Sequence, residues 1–151
     1  MYSKEQASAI RQEFWTALGK YLSPIPGAHA EKINWINYKT GVKGIHFKMD
    51  ADNKNASVRI DISSQHVEQR NRFYDIFLTL KTELEQGNNW EWQRQSYDAA
   101  GKEMACISRK LAAVNIFQKE HWPALISFFK DHALRFDEFW HSYKEVFEMN
   151  S

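Results

Sequence analysis

Past Pro123 the chain runs to Phe147 without a glycine or a proline, and Trp122, Ile126, Phe129, Ala133, Phe136, Trp140, Tyr143 and Phe147 recur at alternating spacings of four and three. That interval marks a helix with one apolar stripe. Leu125, Phe128, Phe139 and Val146 widen it. Pro123 suits a first-turn position, where its missing N–H would have no partner anyway, so the helix is predicted to start near Trp122. At about 1.5 Å per residue it would be roughly 38 Å long. A domain of this size has a radius of gyration of only about 15 Å, so the helix must cross the whole molecule. A heptad-like stripe also suits packing on a second copy, and a homodimer through the C-terminal helix is expected.

The opposite periodicity governs the middle of the chain. From Ala56 to Ser63, Val58, Ile60 and Ile62 alternate with Ser57, Arg59, Asp61 and Ser63. Gly44 to Ala51 repeats the pattern, with Ile45, Phe47 and Met49 on one side and His46, Lys48 and Asp50 on the other. Strict alternation of this kind predicts strands with one dry face and one wet face. Asp52-Asn53-Lys54-Asn55 between them is turn chemistry. Ile33 to Lys39, ending at Thr40-Gly41, reads as a strand preceding these two. A second hairpin is expected from Trp90–Gln95 and Lys102–Lys110, with its turn near Asp98-Ala99-Ala100-Gly101.

Residues 4–22 and 65–86 have helical spacing. Ser3 and Gln6 fit a capping box, and Ser23-Pro24-Ile25-Pro26-Gly27 ends the first helix. Gln86-Gly87-Asn88-Asn89 stops the second. The order is α-β-β-β-α-β-β-α. It predicts one α+β domain over residues 1–151, with helices packed on a mostly antiparallel sheet of about five strands.

Composition excludes several classes. Lys+Arg is 20 and Asp+Glu 19; 43% of residues are hydrophobic and 26% charged. Disordered tails, collagen-like fibres and charge blocks look different. One cysteine cannot close a disulfide within the chain, and Cys106, between Ala105 and Ile107, reads as a reduced core thiol. No stretch is apolar for long enough to cross a membrane, and the N-terminal residues lack a secretory apolar segment, so a cytoplasmic protein without a membrane partner is expected.

The wet face of the central hairpin is the first place to look for chemistry. It offers His46, Lys48, Asp50, Arg59, Asp61 and Ser63. Cross-strand ion pairs on a solvated face are the ordinary reading. The functional reading is a site for an anion or a metal-bound phosphate, with Asp50 and Asp61 as the candidate catalytic pair. Between Lys32 and Arg59 the cations Lys39, Lys43, Lys48 and Lys54 are interleaved with Trp35, Tyr38 and His46. Rings beside cations suit single-stranded bases, which marks Trp35, Tyr38, His46, Lys48 and Arg59 as candidate nucleic-acid contacts. A net charge of +1 makes a poor electrostatic funnel for that role.

Other chemistries find no support. The run from Asp50 through Asn55 with Asp61 resembles a calcium loop only superficially: Lys54 stands at a ligand position and the required glycine is missing. The six histidines include no pair at zinc-helix spacing around a Glu, and there is no Cys-x-x-Cys. No metal site and no cofactor is expected. With only 6 glycines, phosphate-cradling loops and dinucleotide fingerprints are excluded by supply.

Two resemblances bear on function. The element order resembles the core of the PD-(D/E)XK nucleases, which implies an acid on one strand and an acid-x-Lys on the next. Asp50 suits the first acid, but the next strand reads Arg59-Ile60-Asp61, in reverse order and with Arg for Lys. The second covers nearly the whole chain. Glu13-Phe14-Trp15, Trp35-Ile36-Asn37-Tyr38, Arg59-Ile60-Asp61-Ile62 and Trp90-Glu91-Trp92 resemble the bacterial domain-of-unknown-function family numbered 4268. Members fused behind nuclease-like domains imply an accessory role near nucleic acid or phage defence, with no catalytic residue to carry over. The expectation is a non-catalytic accessory or binding domain linked to nucleic-acid processing. The alternatives are a divergent metal-dependent nuclease using Asp50 and Asp61, and a homodimerisation module.

Overall fold

Ser3 caps the first helix as its sequence requires: its Oγ accepts from the Gln6 amide at 3.1 Å, and its own N–H donates to Gln6 Oε1 at 2.8 Å. In this computed structural model, which describes residues 2–151, the elements are α1 (Lys4–Leu22), β1 (Ile45–Ala51), β2 (Asn55–Ile62), α2 (Val67–Thr79), α3 (Lys81–Glu85), β3 (Glu91–Tyr97), β4 (Glu103–Ala112) and α4 (Trp122–Met149). A 3-10 turn over Lys119–His121 leads into α4, and Pro123 sits in its first turn.

The four strands form one antiparallel sheet in the order β1-β2-β4-β3. In the β1–β2 hairpin Phe47 faces Ile60 and Met49 faces Val58. Asp52 closes its turn by accepting the amides of Lys54 and Asn55 on one oxygen, at 2.8 and 2.7 Å. Ile45, Phe47, Val58, Ile60, Ile62, Ala105 and Ile107 are all buried, and they share one core with the helices. The helices pack on that apolar face.

The stripe of α4 fills the centre. Phe136 stacks on Phe47 with ring centroids 4.5 Å apart and planes 12° apart. Phe147 lies 4.5 Å from Phe77 of α2, and Phe129 meets Phe14 of α1. Trp140 donates its indole N–H to the Thr40 carbonyl at 2.7 Å. Phe129, Ala133, Phe136, Trp140 and Phe147 are buried, so the seam on which a homodimer was expected is filled by the chain's own sheet and helices.

Three expectations need correction. The sheet has four strands, because Ile33–Lys39 forms no strand. Its Trp and Tyr suggest a strand because both rings want burial, and β-propensity largely measures that fit. The segment meets the demand as an irregular strap instead. Trp35 is buried with its indole N–H on the Ile25 carbonyl at 2.9 Å, and Asn34 Oδ1 turns the chain by accepting from the Asn37 amide. Residues 65–86 make two helices that break at Leu80, before Gln86 and Gly87 stop the second with positive φ. Cys106 is buried, but on the polar side of the sheet beside Asp61 rather than in the apolar core.

Candidate functional site

The register places His46 opposite Asp61, Lys48 opposite Arg59 and Asp50 opposite Ser57, all on the wet face. Arg59 reaches along this face in both directions. Its Nε lies 3.2 Å from Asp61 Oδ1, and its other end lies 3.5 Å from Asp50 Oδ2. Asp50 stands four residue pairs along the ladder from the His46–Asp61 pair, about 13 Å of backbone at strand rise. One guanidinium therefore separates and neutralises the two carboxylates. The Cys106 thiol donates to Asp61 at 3.6 Å, and burial, then the Asp61 charge, pushes it up to about 12.

Trp35 and Tyr38 lie elsewhere. Tyr38 packs edge-on against Phe47 and Phe136, which belong to the apolar side. The expected interleaving of rings with Lys48 and Arg59 is therefore not formed: the sheet stands between them.

Where the wet face meets the start of α2 there is a cleft of about 450 Å³. Lys43, His46, His66 and Lys102 line it together with Gly44 and Ser64, and none of its lining residues is a carboxylate. The first backbone bond of α2 runs from the Arg70 amide to the His66 carbonyl, and His66 gives no side-chain cap. The amides of the first turn thus have no partner within the helix, and the helix dipole adds partial positive charge there. Ser64 is only 8% exposed, and its hydroxyl has no hydrogen-bond partner among the described residues. It is turned toward Gly44, where a Cβ would come within 2.3 Å of it; glycine also satisfies the φ of +90° there. Arg70 fixes the loop by donating to the Ser64 carbonyl at 2.9 Å and to Glu103 at 2.8 Å.

A second polar cluster joins the strap to α4. Asp137 is 1% exposed; it accepts the Tyr38 hydroxyl on Oδ1 at 2.5 Å and the Ala28 amide on Oδ2 at 2.8 Å. His141 Nε2 lies 2.9 Å from Glu31 Oε1 and 3.4 Å from Asp137 Oδ1. Glu31 Oε2 accepts the His29 amide at 3.0 Å. Backbone amide bonding and the neighbouring His141 hold the Glu31 carboxyl below its usual range, against the effect of burial. Burial, then Asp137, pushes the Tyr38 hydroxyl well above its usual value. These groups escape sequence reading because Glu31 is 110 residues from His141. The only local signal is the four-residue interval between Asp137 and His141, which shares a helix face.

Residues 10–144 match the family model described as Domain of unknown function (DUF4268). The chain belongs to the DUF4268 family. No curated protein and no solved structure matches it. Both polar clusters lie inside the DUF4268 match. The aromatic residues that carry the resemblance are structural: Phe14 and Trp35 are buried, and Trp90 and Trp92 pack against the core. No helix among the described residues of this DUF4268 chain is long and apolar enough to cross a membrane.

Proposed function

We propose that this DUF4268 domain is a non-catalytic accessory module that binds nucleic acid through its phosphates, using the cleft at the start of α2 and the adjoining wet face. The observation that carries the reading is the convergence of Lys43, His46, His66 and Lys102 on an uncapped helix start with no lining carboxylate. Unpaired amides at a helix N-terminus favour an anion. The buried, unpartnered Ser64 hydroxyl beside Gly44 is a second sign of a polar ligand. Lys48, exposed on the same strand as His46, extends the cationic surface along β1. Arg59 favours binding over cleavage, because its guanidinium occupies the place a divalent cation would need between Asp50 and Asp61.

The test is fluorescence anisotropy with labelled single- and double-stranded oligonucleotides across a salt series. Binding should weaken steeply with salt, and Lys43→Glu with Lys102→Glu should abolish it while the fold is retained. Absence of binding to either oligonucleotide at about 50 mM salt, or binding indifferent to both substitutions, overturns the reading.

A further inference from the structure

We propose that Glu31, Asp137 and His141 form a binding site for one divalent transition-metal ion of the zinc class. His141 Nε2 lies 2.9 Å from Glu31 Oε1 and 3.4 Å from Asp137 Oδ1, and one ligand atom from each residue lies within 4.8 Å of the others, so small side-chain adjustments would bring all three to bond lengths of about 2.0–2.2 Å from one ion. The site is apart from the α2 cleft and does not depend on what binds there.

The way the carboxylates are held argues for more than a chance meeting. Each has one oxygen fixed by a backbone amide and the other turned to the imidazole: Glu31 through His29 N–H, Asp137 through Ala28 N–H. Outer bonds of this kind orient ligands in metal centres. The Tyr38 hydroxyl supplies another, on Asp137 Oδ1, which retains a lone pair for an ion. Helical spacing points Asp137 and His141 the same way, and the strap delivers Glu31 opposite them.

Charge points in the same direction. Asp137 is almost wholly buried, and no Lys or Arg forms an ion pair with either carboxylate among the described residues. Two acids sharing one imidazole leave negative charge that a divalent ion would neutralise. The donor set selects the ion. Imidazole disfavours magnesium and calcium, the lack of thiolate disfavours copper(I), and mixed nitrogen and oxygen donors suit zinc, cobalt and manganese. Three protein ligands leave a coordination position for water. His141 would bind through Nε2, with its ring proton on Nδ1.

The experiment is titration of the full chain with Co²⁺, read by visible absorption, and with Zn²⁺, read by calorimetry. One ion per chain is expected, with Co²⁺ displaced by Zn²⁺. His141→Ala and Glu31→Gln should each weaken binding at least about tenfold, with circular dichroism of the metal-free protein unchanged. Should His141→Ala fail to fold, Glu31→Gln, on the irregular strap, carries the test alone. Folded wild-type protein that shows neither cobalt bands nor zinc heat at about 1 mM metal overturns the proposal. Wild-type affinity in the folded variants does so equally.

Discussion

Tyr38 donates its hydroxyl hydrogen to Asp137 at 2.5 Å and so ties the strap between α1 and β1 to the middle of α4. The two residues are 99 positions apart in the chain, and the bond lies where the strap crosses the core. Tyr38→Phe keeps the ring against Phe47 and Phe136 but leaves Asp137 Oδ1 short of a donor. It should cost about 1–3 kcal/mol of unfolding free energy, measured by urea denaturation. A loss within error of zero would show that water or His141 takes over the bond.

Phe136 packs between the sheet and helix layers, stacked on Phe47 and 2% exposed. Phe136→Ala should destabilise by about 3–5 kcal/mol, because the cavity lies between a rigid sheet and a long helix and cannot close. Val146→Ala, on a residue 42% exposed, should change stability by less than about 0.5 kcal/mol under the same assay.

His132 supplies a pH dependence. Burial lowers its affinity for protons below the ordinary value of 6.5, outweighing the bond to the Phe128 carbonyl. The folded state therefore binds this proton less readily than the unfolded chain. Its contribution is present above the unfolded value and is lost as pH falls through the folded one. Stability should drop between pH 7.5 and pH 5, and His132→Phe should flatten that part of the curve. A slope unaltered by the substitution would assign the dependence to other groups.

The thiol of Cys106 is pushed up to about 12 by burial and by Asp61, and it should be nearly inert to alkylation at pH 8 in the native protein. Reaction with iodoacetamide should reach its ordinary rate once urea unfolds the chain. Rapid native labelling would mean that the strands around Asp61 open.

In nucleic-acid binding, Lys43→Ala and Lys102→Ala should each reduce the slope of log affinity against log salt by about one if each cation meets a phosphate. Arg59→Ala should have less effect, because Arg59 is already paired with Asp50 and Asp61.

The parts legible in the sequence were those set by local rules. Alternation placed Val58, Ile60 and Ile62 in the core, a capping box opened α1, and Pro123 marked the start of α4. Ile33–Lys39 misled because a strap and a strand can bury the same Trp35, and only pairing with a neighbour distinguishes them. The candidate site was legible in part. His46 and Lys48 could be assigned to the wet face from parity alone. Their separation from Tyr38 by the thickness of the sheet could not, nor could the meeting of Glu31 with His141, since both depend on how distant elements stack.

Arg59, clasped by an acid at either end, gives the wet face an internal counterion. Lineages that built hydrolytic chemistry on this surface would first have to evict that residue, and eviction would leave Asp61 confined beside a thiol with no cation to balance it. Such an intermediate would be penalised before any new activity could reward it.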